Sequence, residues 1–218
     1  MNYKPSYKYI PPITWSFLTP FYDFFCAIGG LGGRFKMKIL DSVALSDGLV
    51  VADIGCGTGV FLKVAKQKHP RVTFMGLDPD RQALAIAERR LAKANLDVEL
   101  TEAFAESLPL ADGSVDMVFS TLAFHHMPDE IKQKAIREIF RILKPGGFVV
   151  ITDFGPSSKF LFSWLLPVFE NVEYLRGNLQ GHIRKYLQEA GFVDIDIRAD
   201  ISILRLELIK ATKLVYAS

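Results

Sequence analysis

The sequence has little cysteine, little excess charge and no long apolar run, and each of these absences excludes a class of protein. Its 218 residues include only two cysteines, Cys26 and Cys56. These are too few for a disulfide framework, so we predict a reducing, cytoplasmic setting. The formal net charge of +2 lacks the cationic excess of nucleic-acid binders, and no nucleic-acid partner is predicted. The four histidines show no ligand spacing with the cysteines, so no metal site is predicted.

Apolar runs are too short to predict a membrane span. No stretch approaches the ~18 apolar residues of a spanning helix. Prolines interrupt the first fifteen residues, MNYKPSYKYIPPITW, where a secretory signal would have its apolar run, so no signal peptide is predicted. Two shorter segments, 17–33 and 159–169, are unusually apolar. Each is compatible with lining an apolar pocket and with contacting a membrane surface peripherally.

Composition and length are those of one folded domain. Half of the residues are hydrophobic and 23% are charged, as in globular proteins. The length suits a single domain with a full core. We expect an apolar cap over residues 1–33 and one domain over residues 34–218. The oligomeric state stays open.

From Arg34 onward, predicted helices and strands alternate. Strands are predicted near 49–54, 72–78, 98–101, 115–120, 147–154, 194–198 and 203–211. Helices are predicted near 34–45, 58–68, 81–96, 129–144 and 179–190, with Asp80 as the cap of the third. Such alternation indicates parallel strands with crossover helices, and hence an open α/β sheet. Ligands bind such sheets at the carboxyl ends of the strands.

The stretch VVADIGCGTGVF, residues 50–61, carries an acid and three alternating glycines after the first core strand. A phosphate-binding P-loop would need Gly-Lys-Ser/Thr at the helix start, but Gly59 is followed by Val60. Val60 also occupies the place of the third glycine of the dinucleotide fingerprint, which weakens a nicotinamide or flavin interpretation and leaves it open. Glycines let the backbone approach a ligand closely. The carboxylate of Asp53 suits a ligand that bears an ammonium or sulfonium.

This turn resembles motif I of the class I S-adenosylmethionine-dependent methyltransferases. The resemblance continues through GLDPD, AESLPLADGSVDMVFS and EIFRILKPGGFVVITDF, from about Leu49 to Phe154. It is strongest toward the ubiquinone/menaquinone biosynthesis C-methyltransferases and their small-molecule kin. It implies a Rossmann-like, doubly wound, mostly parallel seven-stranded sheet with helices on both faces and the last strand antiparallel. It also implies S-adenosylmethionine as the cofactor.

The resemblance implies roles for particular residues. The implied cofactor-binding set is Asp53, Gly55, Cys56, Gly57, Gly59, Asp78, Pro79, Ala105, Glu106, Ser120 and Tyr22. Asp78 ends the second strand, where a carboxylate can accept both hydroxyls of a ribose, and Tyr22 would close over the cofactor. Relatives often read Gly-Asp-Ala where this chain has Ala103-Phe104-Ala105. Phe104 therefore replaces an acid that would accept a hydrogen bond from the adenine amine.

Two adjacent histidines, His125 and His126, follow the fourth predicted strand. An acceptor that loses a proton during methylation is helped by a nearby base. Adjacent side chains point in different directions, so we expect at most one imidazole to face the reacting group. The alternative is that the pair shapes the pocket.

The segment after the fourth strand also bears on the acceptor. Enzymes that methylate the amines of bases or glutamine typically place Asn/Asp-Pro-Pro-aromatic there, whereas this chain has STLAFHH. We therefore expect a small hydrophobic or aromatic acceptor, with quinone-like C- or O-methylation among the options and residues 156–176 as a substrate-covering insert. Two alternatives stay open: an NAD-type oxidoreductase, and a non-catalytic relative that binds the cofactor.

Overall fold

The computed structural model of the chain describes residues 30–157, 172–199 and 206–215. Tyr22 lies outside these ranges, as do most of the expected cap over 1–33 and most of the expected insert over 156–176. The apolar segment 159–169 lies outside them as well. The roles expected for these segments, including membrane contact, stay predictions.

The described residues form one seven-stranded sheet. Its strands are β1 (Val50–Ile54), β2 (Thr73–Asp78), β3 (Glu99–Glu102), β4 (Val115–Thr121), β5 (Leu143–Asp153), β6 (Phe192–Arg198) and β7 (Glu207–Lys213). Their order is β3-β2-β1-β4-β5-β7-β6. Strands β1 to β5 pair in parallel, and β7 runs antiparallel to both β5 and β6. The predicted mostly parallel sheet with an antiparallel last strand is confirmed.

Helices cover both faces of the sheet. They are α1 (Gly33–Leu40), α2 (Val60–Lys68), α3 (Arg81–Lys93), α4 (Asp129–Ile142), α5 (Val172–Leu179) and α6 (His182–Glu189). Apolar residues of α1, α2 and α3 join one buried cluster, and those of α4 and α6 join a second cluster. This arrangement confirms the doubly wound fold. None of the helices in the described ranges has the length and apolar character that crossing a bilayer requires.

Asp80 starts α3 as predicted. Its carboxylate accepts hydrogen bonds from the backbone N–H groups of Gln82, at 2.8 Å, and Ala83, at 3.2 Å. These donors have no partner within the first turn of a helix, so a short side chain that accepts from them stabilises the helix end.

The boundary between α4 and β5 differs from the prediction. The helix ends at Ile142 and the strand begins at Leu143, whereas the sequence favoured a helix to residue 144 and a strand from 147. The residue before a proline is disfavoured in helical conformation, which makes Lys144 extended. The ammonium of Lys144 lies 2.8 Å from the Asp116 carboxylate, and this contact ties the start of β5 to β4.

The predicted helix near 179–190 is in fact preceded by another helix. Helix α6 begins at His182, and α5 ends at Leu179. Between them Gly181 has a φ of +79°, a left-handed conformation that glycine adopts without steric cost. The glycine turns the chain between the two helices, and the sequence analysis did not predict α5.

Sheet order determines where a ligand can bind. Strand β1 lies between β2 and β4, so the connections on its two sides run in opposite directions. In open parallel sheets this switch point leaves a crevice at the carboxyl ends of the strands. The glycine turn follows β1 and therefore lies at that crevice.

Candidate functional site

A cavity of about 320 Å³ lies at the carboxyl ends of β1, β2 and β4. Nine of the predicted site residues line it: Asp53, Gly55, Cys56, Gly57, Asp78, Pro79, Ala105, Glu106 and His126. Gly59, Ser120 and His125 do not line it. Tyr22 lies outside the described residues.

The glycines of the turn differ in what they do. Gly57 lines the cavity with a φ of +53°, and a Cβ added there would meet no atom within 4 Å. A Cβ on Gly55 would lie 2.4 Å from the Cβ of Ala123. Gly55 therefore lets the loop after β4 approach the turn, whereas Gly57 presents bare backbone to the cavity.

Gly59 contacts a helix instead of the cavity. It precedes α2 with a φ of +74°, and a Cβ there would lie 2.8 Å from the Cβ of Ala87 on α3. This glycine permits α2 and α3 to pack closely. Its contact with the cofactor stays a prediction, and Gly59 does not line the cavity.

Asp53 is a buried carboxylate with unmet hydrogen-bonding capacity. It is 2% exposed, and its Oδ1 atom finds no hydrogen-bond partner within the described part of the chain. Burial raises the pKa of Asp53 to about 7, opposed by the charge of Lys36 and reinforced by that of Asp78. A cationic ligand group would favour the ionised form.

Asp78 is held at the end of β2 by the glycine turn. Its carboxylate accepts the N–H of Gly57, at 2.8 Å, and that of Asp80, at 2.9 Å. Burial raises the pKa of Asp78 to about 6 even though both hydrogen bonds lower it. A carboxylate has about four acceptor positions, so this side chain can accept further hydrogen bonds from a ligand in the cavity.

Lys36 was not predicted as a site residue. It lies on α1 and lines the cavity, where its charge lowers the pKa of Asp53. In the sequence it is one of several cations on an amphipathic helix, and no local pattern distinguishes it from the others. The packing of α1 against α2 brings it to the cavity.

His125 is oriented by a buried carboxylate. Its Nδ1 atom lies 2.8 Å from Asp153 Oδ1, and Asp153 Oδ2 accepts the N–H of Phe124 at 2.8 Å. Burial by itself raises the pKa of Asp153, but attraction to His125 and the surrounding hydrogen bonds lower it overall. This carboxylate fixes the turn Phe124–His126 to the end of β5.

His126 is the histidine that lines the cavity. Its ring centroid lies 4.0 Å from that of His125. Burial, with a smaller contribution from His125, lowers the pKa of His126 to about 3. The imidazole is therefore neutral near pH 7, where it accepts a hydrogen bond but is a weak base. Which histidine acts in a reaction stays a prediction.

Ser120 and Cys56 are both buried. The Ser120 hydroxyl donates to the Ile54 carbonyl at 2.8 Å, which ties β4 to the end of β1. This bond favours packing over ligand contact.

Burial holds the pKa of the Cys56 thiol well above its usual value, and the charges of Asp78 and Asp53 add to the effect. Cys56 thus contributes a neutral thiol to the cavity.

Comparison with known proteins identifies related sequences. Residues 51–147 match a family described as a methyltransferase domain. The demethylmenaquinone methyltransferase of Thermus thermophilus is 30% identical over 173 residues, which cover 78% of each chain. An uncharacterized methyltransferase of Synechocystis sp. is 32% identical over 161 residues, with 72% of this chain and 73% of that protein covered.

Solved structures share the fold at lower identity. Phosphoethanolamine N-methyltransferase 2 of Haemonchus contortus, in complex with S-adenosyl-L-methionine, has a TM-score of 0.75 at 21% identity, covering 92% of this chain and 57% of that chain. The [4+2]-cyclase SpnF has a TM-score of 0.74 at 18% identity, covering 93% and 94%. At these identities the likeness shows the fold alone.

Replacement of Gly59 tests its packing role. We expect Gly59→Ala to lower the free energy of unfolding by about 2–5 kcal/mol, since the left-handed φ costs about 1–2 kcal/mol and the collision with Ala87 about 1–3 kcal/mol. Gly48→Ala is the matched control, because Gly48 has a φ of +81° and no atom within 4 Å of an added Cβ. Urea unfolding measures both variants. Equal losses would contradict the packing role.

Replacement of Asp53 tests whether the carboxylate destabilises the free protein. A pKa raised from 3.8 to about 7 means that folding becomes less favourable as pH rises through this window, because the unfolded state ionises first. We expect Asp53→Asn to be more stable than wild type at pH 8, by roughly 2–4 kcal/mol, with the difference shrinking toward pH 4.

Urea midpoints at several pH values measure this effect. Asp97→Asn, at an exposed position, removes the same charge and serves as the control. A pH-independent difference between wild type and Asp53→Asn would show that the carboxylate is not strained by burial.

Proposed function

The chain belongs to the S-adenosylmethionine-dependent methyltransferase family, and we propose that it methylates a small hydrophobic or aromatic acceptor, with quinone-like rings among the candidates. The observation that carries the cofactor assignment is the pair of buried carboxylates beside bare backbone at the end of β1. Family membership favours methyl transfer over an NAD-type oxidoreductase.

The residues present fit the charges of S-adenosylmethionine. Asp53, with one carboxylate oxygen lacking a partner in the described residues, would bind the ammonium or face the sulfonium. Lys36 lies in the same lining and would bind the carboxylate of the amino-acid group. Asp78 would accept hydrogen bonds from the ribose hydroxyls, since two backbone N–H groups already orient it.

Another part of the lining suits a planar aromatic base. Pro79, Phe104 and Ala105 line the cavity there with Glu106. Because Phe104 replaces the acid common among relatives, the adenine would be held mainly through apolar contact and backbone groups. This pattern supports an adenosyl ligand whose base is bound by shape.

The bound cofactor would supply a methyl group on a positively charged sulfur, and the S–C electron pair would stay with the sulfur when the methyl group is transferred. The protein mainly has to align the acceptor and exclude water. Leu122 and Met127 give the cavity apolar walls on the side of His126. The neutral His126 would accept a hydrogen bond from the acceptor and orient it, with His125 and Asp153 fixing its position.

Relatives differ in the acceptors that their names state. They include demethylmenaquinone methyltransferases, a ubiquinone/menaquinone biosynthesis C-methyltransferase and a malonyl-[acyl-carrier protein] O-methyltransferase. The quinone-related names support an apolar ring as the acceptor. The second candidate is a non-catalytic relative that binds the cofactor, and turnover decides between the two.

Calorimetry with S-adenosylmethionine and S-adenosylhomocysteine tests the cofactor assignment. We expect both to bind, with affinity rising by up to about tenfold per pH unit up to pH 7, because Asp53 must ionise to receive the cation. Asp53→Asn should weaken binding and remove much of this pH dependence. Lys36→Met should weaken binding without removing it. If neither compound binds wild type at any pH, the assignment is wrong.

Methyl transfer to a panel of phenols, quinols and amines tests the reaction and the histidines. We expect His126→Ala to lower kcat/KM on the best acceptor by about 10²-fold, because it removes the group that orients the acceptor. His125→Ala should have a smaller effect, through lost orientation of His126. Full rates in both variants would contradict a role for the pair in the reaction, and no turnover by wild type would favour the non-catalytic candidate.

A further inference from the structure

Among the uncharged side chains of the described residues, three are buried without a hydrogen-bond partner. The hydroxyls of Thr121 and Thr152, and both amide atoms of Asn178, find none within the described ranges. Thr152 is 0% exposed, Asn178 1% and Thr121 7%. Native proteins pair nearly all such groups, so unpaired ones require an explanation.

The two threonines are neighbours on one face of the sheet. Thr121 of β4 is the register partner of Thr152 of β5, and registered residues of adjacent strands project to the same side. Side chains alternate along a strand, so Thr121 shares its face with Phe119, and Thr152 shares its face with Val150. Both of these apolar residues belong to the buried cluster under α1, α2 and α3.

Asn178 faces the same cluster. It lies one helical turn after Leu175 on α5, and residues three apart lie on one helix face. Leu175 packs in the cluster that contains Phe119 and Val150. Helix α5 also packs against the turn Phe124–His126. The amide is thus on the threonine side of the sheet, beside the turn that carries His126.

This polar group adjoins the cavity through Thr121, whereas Thr152 and Asn178 do not line it. Thr121 and Leu122 both line it, and the Leu122 N–H donates to the Thr152 carbonyl at 2.8 Å. Leu122 has a φ of +59°, a conformation that costs a non-glycine residue of order 1–3 kcal/mol and is concentrated at ligand sites. The strained residue turns the chain directly after Thr121.

The three side chains are uncharged. Each hydroxyl and the amide can both donate and accept a hydrogen bond. The cluster residues that share their faces, Phe119, Val150 and Leu175, are apolar, and an unpaired charge is strongly disfavoured beside them. The nearby Asp153 carboxylate is engaged by His125 and Phe124. These three side chains therefore match a ligand that presents a neutral oxygen on an otherwise apolar molecule.

We propose that Thr121, Thr152 and Asn178 form an acceptor subsite that binds a neutral hydroxyl or carbonyl oxygen of an aromatic ring. The inference rests on the proposed methyl transfer and narrows its acceptor, since cationic amines and carboxylates would find no counter-charge among these groups. Thr121 makes the first contact from the cavity wall, and Thr152 and Asn178 complete the hydrogen bonding behind it.

Three probes with one ring system test the proposal: 1-naphthol, 1-naphthoate and 1-naphthylmethylammonium. Each is titrated into the protein in the presence of S-adenosylhomocysteine. We expect 1-naphthol to bind at least tenfold more tightly than either charged probe. Equal or tighter binding of a charged probe would overturn the proposal.

Thr152→Val separates the subsite from the cofactor site, because Thr152 does not line the cavity assigned to the cofactor. We expect the Kd of 1-naphthol to rise five- to tenfold and that of S-adenosylhomocysteine to stay within twofold. Thr152→Ser should retain most of the 1-naphthol affinity. Because a hydroxyl without a partner is replaced by a methyl, Thr152→Val should also be at least as stable as wild type.

Thr212→Val is the matched control. Thr212 lies on β7 at the opposite end from the residue that pairs with Thr152, so this substitution should change neither Kd. An unchanged 1-naphthol Kd in Thr152→Val would overturn the subsite and leave an internal water as the partner of the hydroxyl. If S-adenosylhomocysteine does not bind wild type, the proposed function fails by itself. The probes are then titrated into the ligand-free protein, where the same order of affinities still supports the subsite and its absence overturns it.

Discussion

Two carboxylates buried at the ends of neighbouring strands are the constraint on which this structure depends. Asp53 and Asp78 lie against the backbone of the turn after β1, where burial raises the pKa of each. Because burial removes water from both carboxylates, ionising either of them lowers the free energy of unfolding. The packing of the sheet and its helices offsets this cost. The two buried carboxylates leave the cavity prepared for a ligand that carries positive charge.

The electrostatic character of the site changes across the cavity. Charged groups, Asp53, Asp78 and Lys36, gather at the ends of β1 and β2 and on α1. Toward β4 the groups that line the cavity are neutral, since burial keeps the imidazole of His126 uncharged and Thr121 carries only a hydroxyl. The Asp153 carboxylate at the end of β5 does not line the cavity and is engaged by His125. A cationic methyl donor and a neutral acceptor would therefore be distinguished by charge before any specific contact is made.

Close packing connects the charged side of the cavity to its neutral side. The contact between Gly55 and Ala123 places the loop after β4 directly on the turn after β1. Asp153 then fixes the same loop from β5 through His125 and the backbone of Phe124. Movement of either loop would displace both the proposed cofactor site and the proposed acceptor site, so we infer that the two are mechanically coupled through the end of β4.

The sequence by itself determined the order of strands and helices (except α5), the glycine turn and the two acids, because each depends on local spacing within a single βα unit. Tertiary structure alone decided that Lys36 reaches the cavity, that Gly59 serves helix packing, and that His126 rather than His125 lines the cavity. It also paired Thr121 with Thr152. These facts depend on contacts between residues far apart in the chain, and on burial, which alters the pKa of a side chain without leaving any pattern in the sequence.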